Sequence, residues 1–451
     1  MHQLQSNMKK IAVIVTLLVF GFTGQAQDNR EWTLTECVEY ALENNISIKQ
    51  SQLDVEVTDT EKLQAIGNFV PTLNGNASYS TNTGANINPV TNAFENETFS
   101  SFTTGFNSSL TLFDGLRNVR ELQRAKLSKL ASQYRLDKMK DDISLAVANA
   151  YLQVLLNKAN LEVAKAQNEV TLQQIERTNN LVDAGTLPRG DLLEIQATDA
   201  SEKQRIAVTE NSVTISLISL AQLLLIEDYA TFDIADEGYN IVGDEIIEKP
   251  VQEVINAAEE NRNEVKIAKK NVELAEKDLQ LARGAYYPTL SAFFGYNTRY
   301  ADNDFLDRAF TDQLWQNDGL GYGLQLNVPI LNGFSARSSV NRSKINLERN
   351  RFQLEQAKLD LESNVYQAYV DAKGALKAYE ASLAALESQE LAYDYAKDRY
   401  DVGLTNAFDF SQSKLRYDNA RIEVNRTKYD YIFKLKVLEL YFGVSATELK
   451  F

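Results

Sequence analysis

Side chains able to do covalent or metal chemistry are scarce in this chain. Cys37 is the single cysteine and His2 the single histidine among 451 residues. No Ser-His or Cys-His nucleophile pair and no His/Cys metal cluster can be built from them, so neither an enzyme nor a cofactor or metal is expected. What recurs instead is carboxylate around glycine. DAGTLPRGDL, residues 183–192, and DVGLTNAFDF, residues 401–410, both interrupt helical sequence, the first with Asp183, Gly185 and Asp191, the second with Asp401, Gly403 and Asp409. Carboxylates grouped round an aqueous opening favour cations. They can also serve as helix N-caps, because Asp191 is followed by Glu194 and Asp409 by Gln412 at the spacing of a capping box. One carboxylate can do both.

The two breaks belong to a longer duplication. At an offset of 217 or 218, Ala41/Ala258, Asn44/Asn261, Gly67/Gly284, Pro71/Pro288, Gly115/Gly333, Val147/Val365, Tyr151/Tyr369 and Gly185/Gly403 coincide. A fixed offset held over most of the chain marks two copies of one unit of about 200 residues. The first repeat takes residues 27–250, with a connector at 227–250, and the second takes 251–451. Residues 1–26 read as a signal peptide: Lys9 and Lys10, an apolar run from Ile11 to Phe20, and small residues at Gly24 and Ala26.

Within each unit the hydrophobic period changes. Residues 34–68, 116–182 and 191–226 have helical spacing, as do 251–285, 339–402 and 407–442. Ile143, Val147, Ala150, Tyr151 and Val154 form a stripe that Leu361, Val365, Ala368, Tyr369 and Ala372 repeat. Between them, residues 72–113 and 289–331 alternate. Leu73, Gly75, Ala77 and Tyr79, then Phe102, Phe106, Leu110 and Leu112, face small polar neighbours; Leu290 to Tyr296 and Tyr322 to Ile330 do the same. A half-buried soluble sheet alternates in this way. A secretion signal, strands of about ten residues and aromatics near strand ends favour a transmembrane β-barrel. No later segment is apolar enough over sufficient length to span a bilayer as a helix, Val213 to Ile226 being the nearest.

Four strands cannot close a barrel, and open edges in lipid cost several kcal/mol per unpaired backbone group. Copies must therefore pool strands. Two would give eight, nearly filled by side chains, and three would give twelve, with an open bore. The long helices, ~100 Å at 1.5 Å per residue, suit a tube better than a compact domain. The expected class is mainly α with a transmembrane β part. The formal charge of −16 disfavours nucleic acid or an anionic surface as partner. Gly319, Gly321 and Gly323 lead into a strand, whereas a phosphate cradle requires a following helix.

In this order and spacing the motifs resemble the TolC-like outer-membrane efflux and secretion channels. The match rests on Gly67 to Pro71 and Gly284 to Pro288 before each hairpin, on Leu112-Phe113-Asp114-Gly115 and Val328-Pro329-Ile330-Leu331-Asn332-Gly333 after it, and on the two glycine breaks. The resemblance implies a homotrimer in outer-membrane lipid, with a twelve-stranded barrel continued by a periplasmic α-helical barrel. It also implies docking to a periplasmic adaptor and, through it, an inner-membrane transporter that supplies the energy. Tyr400 matches a tyrosine of the family's closed-gate network and Asp191 its carboxylate partner, which implies a hydrogen bond between them. Where the family pattern has an arginine and a further acid, this chain has Thr405 and Gln412. Val402-Gly403-Leu404-Thr405 resembles the tip that meets the adaptor, with Gly185-Thr186-Leu187 as its counterpart. The competing assignment is a periplasmic coiled-coil scaffold or adaptor with a soluble sheet.

Overall fold

The computed structural model describes residues 31–87, 92–236, 238, 245–302, 304 and 306–444. The expected signal peptide lies outside the described residues. The described residues begin with β1 (Glu31–Trp32), α1 (Leu34–Asn44) and α2 (Ile46–Gly67), then the hairpin β2 (Thr72–Ile87) and β3 (Phe94–Phe113). Next come α3 (Arg117–Asp183), α4 (Arg189–Leu224) and β4 (Asp233–Ile234). After α5 (Glu245–Glu248) the order recurs as α6 (Val251–Asn261), α7 (Asn263–Gly284), β5 (Thr289–Ala301), α8 (Phe310–Gln316), β6 (Gly319–Asn327), α9 (Ser335–Asp401) and α10 (Ala407–Phe442). Both long helices have 67 residues, ~100 Å, and both returning helices have 36.

Each long helix is accompanied along its strand-proximal half by α2 or α7 and along its distal half by α4 or α10. Arg124 Nε donates to Asp278 at 2.6 Å near one end of α3, and Asn157 Nδ2 to the Ser212 carbonyl further along. The continuous helices expected over 34–68 and 251–285 are each broken, at Asn45 (ψ 131°) and Arg262 (ψ 133°). Asn45 turns its side chain to cap α2 by accepting from the Ser47 amide. Near these breaks the repeated stripe tyrosines acquire a role that periodicity did not show. Tyr151 Oη donates toward the carbonyls of Trp32 and Ala235, and Tyr369 Oη toward those of Ile247 and Lys249, tying both connecting segments to the long helices. The core sits here, around Leu34, Cys37, Val147, Tyr151 and Leu220, with a second cluster around Val254, Val365 and Leu435.

The four long strands form one antiparallel sheet in the order β2-β3-β5-β6, so among the described residues β2 and β6 each keep an unpaired edge. Register carries the alternation across all four strands. Gly75, Phe106, Tyr296 and Leu320 stand in one row, and Tyr79, Phe102 and Tyr300 in another. The opposite face holds rows such as Asn74, Asn107, Gly295 and Gly321. Large side chains on the apolar face are open, Leu73 at 72% and Tyr322 at 76% exposure. Gly105 is the one residue that fits its place, since a Cβ there would lie 2.4 Å from the Tyr296 carbonyl oxygen.

Several strand expectations change. A bulge between Thr111 and Phe113 puts Phe113, rather than Leu112, opposite Leu290. The last strand stops at Asn327 instead of Ile330, where Pro329 has no amide to give a ladder. β2 and β3 run to 16 and 20 residues, beyond the ten anticipated. Past Tyr79 and Phe102 the apolar row gives way to hydroxyl pairs, Thr81 with Ser100 and Thr83 with Thr98. The apolar band thus covers only part of the strands. α4 is long and apolar enough to cross a membrane by length and composition, contrary to the sequence reading. It nevertheless packs along α3 and carries Asp199 and Glu202 in contact with Asn168.

Candidate functional site

Both glycine breaks end their helices in the same way. Gly185 and Gly403 each have φ +74°, the left-handed region that glycine enters without a Cβ clash. The amides of Gly185 and Thr186 donate to the carbonyls of Val182 and Leu181, and those of Gly403 and Leu404 to Tyr400 and Arg399. This is the paired bonding of a Schellman motif, which satisfies the last carbonyls of the helix. The returning helices then start differently from each other. Pro188 precedes α4 with no side-chain cap, whereas Asn406 caps α10 by accepting from the Asp409 amide at 2.8 Å. The capping-box assignment of Asp191 and Asp409 is therefore corrected. Both acids sit in the first turn, where a carboxylate complements the helix dipole. The same D-x-x-E/Q spacing arises when the first acid is already inside the helix.

The distal turns carry an exposed apolar surface. Val402 and Leu404 are 70% and 69% exposed; Gly185, Thr186 and Gly403 are also open, and Leu187 and Thr405 partly so. Thr405 Oγ1 lies 3.4 Å from Asp409 Oδ2, and Asn179 Nδ2 donates to Asp183.

Behind the turns the first-repeat pair α3/α4 is fastened to the second-repeat pair α9/α10. Tyr400 is buried, its ring stacked on Phe410 with centroids 5.0 Å apart, and its hydroxyl is 2.9 Å from Thr178 Oγ1. The inferred Tyr400–Asp191 hydrogen bond is thus replaced by one to Thr178, while Asp191 acts on Tyr400 through its charge. Burial raises the Tyr400 pKa; the Thr178 bond opposes this, and Asp191 adds to it. Arg177 Nη1 lies 2.7 Å from Asp401 Oδ1 in an ion pair, and Nη2 donates to the Asp401 backbone carbonyl at 3.0 Å.

Further from the turns, Lys414 Nζ is enclosed by the Gln167 carbonyl at 2.8 Å, Thr171 Oγ1 at 2.6 Å and Glu202 Oε1 at 2.5 Å. Asp418, one turn along α10, is also buried. Thr178, Arg177, Glu202 and Lys414 were not singled out from sequence. Lys414 and Asp418 did carry a signal, because they continue the buried stripe of Ala407 and Phe410 at helical spacing.

Burial pushes the Asp418 carboxyl up from 3.8 to about 6, with Lys414 opposing the rise and Glu202 adding to it. A folded pKa above the unfolded one gives stability that is complete below about pH 4 and is lost as pH rises through 6. Asp418→Asn should accordingly be more stable than the parent at pH 8 by about 3 kcal/mol, and no more stable at pH 4. Denaturant unfolding at the two pH values measures this difference.

Among the described residues no group of three or more His, Cys, Asp or Glu is placed to hold a metal ion. The outer membrane efflux protein family model matches residues 37–224 and 254–444. The outer membrane protein TolC of Vibrio cholerae is 25% identical over 299 residues, 66% of this chain and 66% of that protein, so the match spans just under two thirds of the relative's length. The alkaline protease secretion protein AprF of Pseudomonas aeruginosa is 21% identical over 78% of this chain and 71% of its own. Among solved structures, the Campylobacter jejuni CmeC outer membrane channel superposes with a TM-score of 0.77 at 18% identity, over 92% of this chain and 86% of that one. With a family model covering both halves and an outer-membrane channel fold over nearly its whole length, this chain belongs to the outer membrane efflux protein family.

Proposed function

We propose that the protein is the passive exit duct of an efflux or type I secretion system, a homotrimer whose pooled strands make a twelve-stranded outer-membrane barrel. One observation carries this reading: a four-stranded sheet with both edges unpaired and an apolar row running across every strand. In lipid those edges are satisfied only by further strands, and sister copies supply them. The helical columns continue the bore into the periplasm. Names of relatives point the same way, an outer membrane channel and a protease secretion protein among them. The partners on this reading are a periplasmic adaptor, met at Val402-Gly403-Leu404-Thr405 and Gly185-Thr186-Leu187, and an inner-membrane transporter. A coiled-coil scaffold or adaptor is disfavoured because its soluble sheet would leave this apolar row in water.

The gate is assigned to Tyr400, Asp401, Asp191, Asp183 and Asp409 together with the partners Thr178 and Arg177. Tyr400–Thr178 and Arg177–Asp401 hold the two helix pairs of one copy together. The first is a buried neutral bond, and the second is a half-exposed ion pair discounted for solvent. Together they contribute about 2 kcal/mol, a factor of about 30 in the closed-to-open ratio. Tyr400→Phe with Arg177→Ala should therefore raise single-channel conductance in planar bilayers and sensitise cells to bulky antibiotics. Conductance equal to the parent's would leave both contacts as packing and move the gate elsewhere. Absence of discrete conductance from the parent protein would overturn the duct itself.

A further inference from the structure

The second hairpin contains an element that the barrel alone does not require. Between β5 and β6 the chain forms α8, a two-turn helix folded back on the sheet. Its inward face is held by specific contacts. Gln313, 2% exposed, donates from Nε2 to the Ala301 carbonyl and accepts from the Ala301 amide through Oε1. Asn317 Nδ2 donates to the Arg299 carbonyl, and Thr298 Oγ1 to the Leu314 carbonyl. β6 pairs with β5 only as far as Asn297, so α8 occupies the part of the β5 edge that β6 does not reach.

The helix also settles on one particular face. Phe310 packs against Phe102 and Tyr300 at centroid distances of 5.7 and 5.0 Å. Those two rings are cross-strand partners in the apolar row with Tyr79. Counted from Leu290, Tyr300 lies ten residues along β5. That is ~34 Å of strand, or ~25 Å of membrane normal at a tilt of ~40°, the height of a barrel's apolar band. α8 therefore stands on the outward face where the apolar band ends. Positions 310, 313, 314 and 317 face the sheet. Trp315, on the other side of the helix, is 79% exposed among Thr311, Asp312 and Gln316. A large amphipathic ring set in polar surroundings at this depth has the composition of a membrane-interface residue.

We infer that α8 is an interfacial anchor, whose Trp315 inserts among the headgroups and upper acyl chains of the outer leaflet and fixes the height of the barrel in the bilayer. This rests on the sheet being the wall of a membrane barrel. The occupant follows from continuity, since the outward row on which α8 sits is the surface that lipid covers on that reading.

The chain has two tryptophans, and Trp32 is partly buried against the core at the level of α1 and β4, so it serves as an internal reference. Parent and Trp315→Phe proteins are reconstituted into phosphatidylcholine vesicles carrying bromine near the headgroup end of the acyl chain, near the chain terminus, or nowhere. The Trp315 contribution, obtained by difference, should lose roughly half its intensity to shallow bromine and distinctly less to deep bromine. Equal emission in all three vesicles would overturn the anchor, whether Trp315 proved open to aqueous acrylamide or hidden from it by a neighbouring copy. Stronger quenching by deep bromine would also overturn it. Conductance of the same vesicle preparations separates the two claims: conducting protein with unquenched Trp315 refutes the anchor alone, whereas protein that neither inserts nor conducts refutes the barrel.

Discussion

Replacing Lys414 by alanine is expected to destabilise the distal helices by about 3–5 kcal/mol, the cost of stranding one member of a buried ion pair. The ammonium is enclosed by an oxygen from each of Gln167, Thr171 and Glu202. Its removal leaves the Glu202 carboxylate, 14% exposed at the side chain, beside buried Asp418 with no cation enclosed between them. The loss should appear as faster proteolysis within α4 and α10 and a lower unfolding midpoint. Lys414→Met combined with Glu202→Gln and Asp418→Asn should recover most of it, because both uncompensated carboxylates are then gone and the volume is nearly kept. A Lys414→Ala protein within 1 kcal/mol of the parent would mean that water reaches this cluster freely. The cluster fastens the two repeats behind the turns, so loosening it should also favour the open channel.

The second large effect concerns the sheet. Leu320 stands opposite Tyr296, and Tyr296 opposite Phe106, about midway along the apolar face between Leu290 and Tyr300. Arginine at such a site costs about 2–4 kcal/mol in a membrane barrel, once for every copy. Leu320→Arg should therefore deplete the protein from the outer membrane. Asn107→Arg should not, because Asn107 belongs to the opposite row with Asn74 and Gly295, which on the proposed reading faces the bore. It should instead shift ion preference toward anions. Membrane fractionation and reversal potentials measure the two outcomes, and equal depletion by both substitutions would contradict the assignment of faces.

The helices were legible because their apolar stripes are long and their breakers few, and α10 was bounded at Ala407 and Phe442 as expected. Sheet faces were legible because each strand alternates. What failed depended on single backbone groups or on distant pairs. The end of β6 turns on the missing amide of Pro329, and the bulge at Thr111 moves Phe113 into the row that Leu112 was expected to occupy. The breaks at Asn45 and Arg262 are matters of one ψ angle in an otherwise helical pattern. At the candidate gate, sequence located Tyr400 and the carboxylates but not their partners. Thr178 lies 222 positions from Tyr400, and no local pattern connects the two. Lys414 was visible in principle as a cation on a buried stripe. α8 was not, because seven residues inside a loop have too little periodicity to stand out.

The proposed duct requires that other copies of this chain complete the open edges of β2 and β6. Native mass spectrometry of the protein extracted from outer membranes counts those copies directly. Three chains per particle, released together only in detergent, is the predicted result; a stable single chain that stays in solution without any amphiphile would contradict it.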